Sequence, residues 1–340
     1  MRKLRVLLVV DDELVPPVKH EGDYTGEDWK AEYDVQTTLR DLGHTVQAVG
    51  VVRNVEVIQK AYQAWKPHIA FNMLEDVYGV IPYDQNMVAF FELLGLAYTG
   101  CNPLGLQLCR DKALTKKLLT YHRIRTPKFM VCRRGRKVRR PASLPFPVIV
   151  KSLIEDASAG ISRRSVVDND KGLVERVAFV HEQVGTDAIV EQFIDGRELY
   201  VGVLGNRRLA VFPPWELILE NLPEDAPLIA TRHVKWNRAY QKKIGVLTRL
   251  AEDLPDAVEA RIEKLSRRVF RILNLCGYAR LDFRLAGDGR LYLLEANPNP
   301  DIAYGEDLSE AAHVAGLSYP DLIQRILNLG LRWYEEHQII

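Results

Sequence analysis

The chain lacks a charge excess: 46 basic residues stand against 45 acidic ones in 340. No global field therefore argues for nucleic acid or a membrane surface as a partner. Cysteine is scarce, and Cys101, Cys109, Cys132 and Cys276 show neither C-x-x-C spacing nor metal-type clustering. Buried, inert thiols in a reducing cytoplasm are expected. No apolar run approaches transmembrane length. The first ten residues have the basic head and apolar stretch of a secretory leader. That stretch stops at Asp11-Asp12-Glu13 with no small-residue cleavage site, so it is expected to be the buried first strand of a parallel sheet. Repeats and low-complexity segments are missing too. So are a G-x-x-x-x-G-K-[ST] loop, an H-E-x-x-H pair (His181-Glu182 has no second histidine four residues on) and a nucleophile elbow.

What is present is concentrated between positions 280 and 300. Gly287-Asp288-Gly289 is a turn signal between two runs rich in Leu, Phe and Tyr, which predicts a β-hairpin. With the turn centred between 288 and 289, Asp282 faces Glu295 and Arg280 faces Asn297. Alternation puts these four on one face, and Leu281, Phe283, Leu285, Leu294 and Ala296 on the other. An acid opposite an acid is destabilising unless a cation lies between them. Two acids and an amide are hard oxygen donors of the kind Mg²⁺ prefers, with phosphate oxygens completing its shell. The exit Asn297-Pro298-Asn299-Pro300 is rigid. The cluster points to nucleotide chemistry; an ordinary salt-bridged surface hairpin is the competing reading.

Length allows two or three domains. Up to about residue 110, strand and helix signals alternate: strands at 5–10, 44–52, 68–72 and 96–99, helices at 29–42, 55–65 and 85–94. This order predicts an open α/β domain with a parallel sheet. Ligands in such domains sit beyond the carboxyl ends of the strands, where Asp11, Asp12, Glu13 and Glu75-Asp76 lie. Asp111 is expected to cap a helix over 112–121. Strands are then predicted at 128–132, 148–152, 161–167, 188–193, 198–204 and 208–212, with a helix at 173–183, giving an α+β region. Residues 219–245 read as irregular, 256–274 as an amphipathic helix, and 308–329 as a helix broken at Gly316 and Tyr319-Pro320.

Further signals are weak singly. Lys151 leaves a buried strand just before the small-residue loop 155–160, which could cradle phosphates through backbone N–H groups or be a plain turn. Val190 to Glu198 joins a strand, a glycine turn and two acids, suited to a base edge and ribose hydroxyls or simply solvated. The basic run Arg133–Arg140 has no interleaved aromatics and reads as a solvated loop. The opening Val9-Val10-Asp11-Asp12-Glu13 suggests a phosphoacceptor receiver domain, but the third strand ends in Asn72 where an acceptor aspartate is required.

Taken in chain order, Arg110-Asp111-Lys112, Pro147–Lys151, Val190–Glu198, Val234-Lys235-Trp236, Tyr278–Asp282, Leu294–Asn297 and Ala315–Tyr319 resemble an ATP-grasp carboxylate–amine ligase of the D-alanine–D-alanine ligase group, over about residues 67–330. The resemblance implies an ATP-grasp fold with an N-terminal Rossmann-like (pre-ATP-grasp) domain at 1–110, a central lid subdomain at 111–197 and a metal-bearing C-terminal subdomain at 198–340. It implies ATP and two Mg²⁺ (or Mn²⁺) as cofactors, small carboxylate and amine substrates, a cytoplasmic location and a possible homodimer. Lys112, Lys151 and Lys235 would contact phosphates. Glu191 and the backbone of Gln192, Phe193 and Ile194 would read adenine, with Ile161, Phe193 and Leu294 lining its pocket, and Glu198 would hold ribose. Asp282, Glu295 and Asn297 would bind the two metal ions. Arg280 would stabilise charge built during acyl-phosphate formation, and Ser158 lies in the loop closing over the γ-phosphate.

The chain departs from that group in places. Asp301 follows Pro300 where Pro-Gly is usual, Glu306-Asp307 lie near the expected place of a carboxylate-binding serine, and Asp11-Asp12-Glu13 stand where a His/Glu/Ser signature is usual. The phosphate loop carries Ala157 in place of a serine. Acids at these positions repel a carboxylate, which points to a cationic or carboxylate-free acceptor amine. A nucleotide-binding module without turnover, and an ATP-grasp kinase or carboxylase, are the alternative functions.

Overall fold

The computed structural model describes residues 3–52, 54–155, 161–221, 228–229 and 238–337. Ser158 and Lys235 lie outside them. The first segment builds a parallel sheet in the order β2-β1-β3. Its strands are β1 (Arg5–Asp11), β2 (Thr45–Val51) and β3 (Ile69–Asn72), with helices α1 (Lys30–Asp41), α2 (Glu56–Trp65) and α3 (Asp84–Leu94) between or after them. Apolar runs such as Val6–Val10 are fully buried because both faces of a parallel sheet are covered.

The expected fourth strand at 96–99 is reduced to one parallel bridge, Ala70 to Tyr98. The helix α10 (Tyr319–His337) crosses there so closely that a Cβ on Gly330 would lie 2.2 Å from the Tyr98 carbonyl oxygen. The segment then turns through Gly100 into α4 (Pro103–Arg110), whose N-cap is Asn102 and which the sequence reading did not anticipate. The helix α5 (Lys112–Tyr121) follows, capped as expected by Asp111, whose side chain accepts from the N–H groups of Ala113 and Leu114.

A second, antiparallel sheet has the order β4-β7-β5-β6: β4 (Phe129–Cys132), β5 (Val148–Ser152), β6 (Val166–Val167) and β7 (Ala188–Gln192), with α6 (Asp170–Phe179) packed on it. The strand expected at 161–167 survives only as β6. Ser162 and Ser165 instead form a capping box around a 3₁₀ turn, and side-chain bonds to local backbone compete with the ladder.

The third sheet runs β11-β10-β8-β12-β13, with β9 also on β8. It comprises β8 (Arg197–Gly205), β9 (Leu209–Val211), β10 (Trp215–Leu219), β11 (Val246–Leu250), β12 (Tyr278–Leu285) and β13 (Leu291–Pro298). The expectation of irregular structure at 219–245 fails in part: α7 (Arg238–Ile244) lies inside it, and its ends run into β10 and β11. The amphipathic helix α8 (Asp256–Ile272) forms as predicted, and α9 (Asp307–Val314) precedes α10.

Although α10 is the last element described, Leu322, Ile323, Ile326 and Leu327 join Val6, Leu8 and Val10 in one apolar core. All four cysteines are free and buried. The basic run 133–140 is a loop, mostly exposed, with Arg140 paired to Asp170. Among the described residues, no helix is long and apolar enough to cross a membrane.

Candidate active site

The hairpin β12–β13 has the expected register where it matters: Arg280 lies opposite Asn297 and Asp282 opposite Glu295. A bulge between Asp282 and Phe283 then shifts the pairing, so Phe283 faces Leu293. Leu293 therefore enters the core, and Leu294 does not take the buried place the regular alternation assigned to it. The carbonyl of Leu294 instead receives the Lys116 ammonium at 2.7 Å.

Cations stand beside both facing acids. Arg280 grips Asp282 through two bonds, Nε to Oδ1 at 2.8 Å and Nη2 to Oδ2 at 3.0 Å, and Asn297 Nδ2 donates to Oδ2 at 3.0 Å. The guanidinium also lies 4.7 Å from the centre of the Tyr200 ring. Burial alone would lower the Arg280 pKa, but Asp282 outweighs it and the net shift is upward. On the opposite strand, Glu295 Oε1 is 2.7 Å from Lys112 Nζ, which also donates to the Glu155 carbonyl at 2.8 Å.

Helix α5 supplies a second lysine that sequence reasoning missed. Lys116 lies four residues after Lys112, hence on the same helix face, which was the available signal. It is 1% exposed, with Nζ 3.1 Å from Glu191 Oε1. Lys151 reaches the other oxygen, Oε2, at 3.2 Å. The buried Glu191 carboxylate is thus clamped by two ammonium groups: burial pushes its pKa up, the lysines pull harder, and the net shift is downward. Burial dominates at Lys116 and lowers it; at Lys151 the carboxylates Glu191 and Glu295 overcome burial and raise it.

Next along the chain, the backbone N–H groups of Gln192 and Phe193 donate to Lys128 and Pro147. Phe193 is half-buried and Ile194 buried; Ile161 is half-buried beside the residues not described. Glu198 is buried between Arg284, which bonds its Oε2, and the Tyr200 hydroxyl at 3.0 Å. Arg284 is a second functional candidate the sequence reading passed over.

A cavity of about 730 Å³ opens at the carboxyl ends of β1 and β3. Asp11, Asp12 and Glu13 after β1, with Asp28 and Glu32 at the start of α1, form one wall. Glu75 and Asp76 after β3, with Asn299, Pro300 and Asp301 from the hairpin exit, form another. Asn299 holds that exit in place with φ of 52°, its Oδ1 accepting from the Cys101 N–H at 2.8 Å. No lysine, arginine or histidine is among the described lining residues. Lys30 and Arg110 lie near, but they bond Asp34 and Asp84. Solvent reaches Glu75 and Asp301 through the mouth, yet crowding by protein raises both carboxyls, with Asp301 adding to the rise at Glu75 and Asp307 to that at Asp301. Glu32, which the sequence reading did not single out, is 5% exposed and pushed up to about 7, first by burial and then by Glu75, Asp301 and Asp11. Glu306 is outside the lining but adjoins Asp301, and its carboxyl is raised as well.

The ribbon face fits a hard divalent cation. Among the described residues, no three histidine, cysteine or acidic side chains converge to cage a metal ion. Two carboxylates and an amide from adjacent strands are the sparse donor set that Mg²⁺ uses when phosphate oxygens and water fill the rest of its shell.

A family model described as "D-ala D-ala ligase C-terminus" matches residues 118–328, more than half of the chain. The chain belongs to the D-alanine–D-alanine ligase family. It is 34% identical over 248 residues to a D-alanine–D-alanine ligase of Bordetella petrii, covering 72% of this chain and 71% of that one. It is 33% identical over 270 residues to the uncharacterised protein y4sG of Sinorhizobium fredii, covering 78% and 75%. The fold matches the crystal structure of the Bacillus anthracis D-alanine–D-alanine ligase complexed with ATP, with a TM-score of 0.75 at 20% identity over 98% of this chain and all of that one. The fold is therefore ATP-grasp, and the protein is a D-alanine–D-alanine ligase-like, ATP-dependent ligase.

Proposed function

We propose that the protein joins a small carboxylate to an amine through an acyl phosphate, releasing ADP and phosphate, and that the amine carries no carboxylate of its own. The observation that carries the chemistry is the single ribbon face on which Asp282, Glu295 and Asn297 are flanked by Lys112 and Arg280. A carboxylate resists an amine because oxide is a hopeless leaving group. In the proposed reaction, a carboxylate oxygen attacks the γ-phosphorus, the bond to ADP breaks, and the acyl phosphate forms. The amine lone pair then attacks the carbonyl carbon, phosphate departs with the C–O bond electrons, and the nitrogen sheds its proton.

The negative charge that moves in each step is assigned to Lys112, Lys151 and Arg280, because fixed cations in a site that excludes water stabilise such charge. Lys112 and Lys151, with Lys235 and the loop of Ser158, are assigned to the phosphates. Glu191 is assigned to the adenine end, where it also holds Lys116 and Lys151 in place. The segment Gln192–Ile194, with Ile161 and Leu294, is assigned to the base, and Glu198, oriented by Arg284, to the ribose. Asp282, Glu295 and Asn297 would hold two Mg²⁺ (or Mn²⁺), whose chemistry when bound is to neutralise the phosphate tail. Arg280 is assigned to the acyl-phosphate oxygens.

The acceptor reading is supported by Asp11, Asp12, Glu13, Glu75, Asp301 and Glu306, which would repel a carboxylate at the hairpin exit. Three units at 1–110, 111–197 and 198–340 are proposed on the three sheets, with α10 returned to the first. A homodimer is proposed as the working assembly; light scattering giving the monomer mass would exclude it. The test of the reaction is ADP release across carboxylates paired with amines, amino acids and polyamines. Release that requires both partners is expected. Release with a carboxylate alone would indicate a kinase, and none with any pair would indicate a binding module.

A further inference from the structure

The cavity's charge poses a chemical problem for the reaction just proposed. A nitrogen that attacks an acyl phosphate must present a lone pair, whereas carboxylates around an amine hold it protonated. The acids that line the cavity therefore do not suit the reacting nitrogen; they suit a different cationic group that stays charged throughout. Their distribution says what kind. No three of them converge closely enough to hold a metal ion among the described residues, so they are spread along the wall rather than focused on a point. At about 730 Å³ the space is of the size that takes a whole small molecule.

One wall residue points to the ligand independently of the cluster. Glu32 is 5% exposed, lines the cavity, and its Oε2 has no hydrogen-bond partner among the described residues. A buried carboxylate oxygen left without a donor is costly, and an ammonium, with three N–H donors, would supply what is missing. The groups nearest in charge are Glu75, Asp301 and Asp11, from three other elements, all of them acids.

We propose that this cavity binds a diamine or polyamine as the acceptor of the ligase reaction, its distal ammonium seated on Glu32 and its reacting nitrogen at the Asn299 end, towards the ribbon. The assignment rests on the ligase reading for the word acceptor, but its binding site can be tested without turnover. The full chain, free of nucleotide, is titrated calorimetrically with 1,4-diaminobutane, spermidine, butylamine, alanine and magnesium chloride. The expected result is diamine binding at least tenfold tighter than butylamine, and a loss of at least tenfold in Glu32→Gln, whose cooperative melting is checked in parallel. Should that variant not fold, Glu75→Gln gives the same readout with a weakening of severalfold. Equal binding of butylamine and the diamine, unchanged binding in a folded Glu32→Gln, or a magnesium isotherm that Glu32→Gln abolishes would each overturn the proposal. Diamine binding that persists while no carboxylate–amine pair releases ADP would support this site and sink only the ligase reading.

Discussion

Two neighbouring regions of this molecule collect acids, and they treat them in opposite ways. Around the ribbon and β7, the acids have cations in contact: Asp282 has Arg280, Glu295 has Lys112, and Glu191 has Lys116 and Lys151. In the cavity, acids face other acids, and the nearby cations Lys30 and Arg110 are bonded to Asp34 and Asp84. The first arrangement is neutralised before any ligand arrives and can accept further anionic oxygen. The second retains repulsion that an incoming cation would relieve. The difference shows that acid content alone says little about a site; the company each carboxylate keeps decides its chemistry.

The comparison can be broken most severely at the ribbon. Glu295→Gln should lower turnover by roughly a thousandfold or more, the scale of losing charge stabilisation at a metal-assisted centre. Its melting should stay near that of the parent, read by ADP release and thermal unfolding side by side; parent-like turnover would remove the metal assignment. Next in size, Lys116→Met strips one of two cations from a carboxylate that is 1% exposed. Leaving a buried charge short of a partner should cost about 3 kcal/mol in denaturant unfolding, and a neutral outcome would mean that Lys151 alone suffices.

In the cavity the sign reverses. Burial and the neighbouring acids push the Glu32 carboxyl up from the ordinary 4.5 to about 7, so the folded state holds this proton more tightly than the unfolded chain. Its contribution to stability is therefore full below the unfolded value and fades as pH rises from about 4.5 to about 7. Glu32→Gln should match the parent at pH 4 and exceed it at pH 8 by on the order of 1–3 kcal/mol. A variant that is equally stable at both pH values would contradict the stored repulsion. Smallest of all, Asp12→Asn at the exposed mouth should change unfolding by no more than about 0.5 kcal/mol; a shift several times larger would mean that the mouth is as strained as the interior.

Parts of both regions were legible in the residues. The Gly287-Asp288-Gly289 turn and strict alternation put Arg280, Asp282, Glu295 and Asn297 opposite one another as expected, although the pairs next to the turn lie one residue out and the bulge restores the register only from Asp282 onward. The bulge was not legible, since an extra residue in one strand leaves no mark on hydrophobicity, and so Leu294 was given the core place that Leu293 fills. Lys116 was hidden for a different reason: a lysine on a helix reads as solvated until a carboxylate from a distant strand meets it. Glu32 escaped likewise, one acid among many near the start of α1, its importance set by β1, β3 and the hairpin exit closing around it. The strand ends at Asp11 and Glu75 were found because parallel sheets place ligands there whatever the side chains. The strands β10 and β11 were not read from the residues; β10 alternates buried and half-buried side chains between its two partners.

The helix Tyr319–His337 lies against Val6, Leu8 and Val10. During synthesis, those apolar residues must therefore wait for part of their cover while some three hundred others leave the ribosome, and hydrophobic surface exposed for that long invites aggregation. A parallel sheet is thus completed by a helix some three hundred residues further on, so a nascent protein halted shortly before residue 319 would carry every side chain of the candidate active site and still lack part of that sheet's cover.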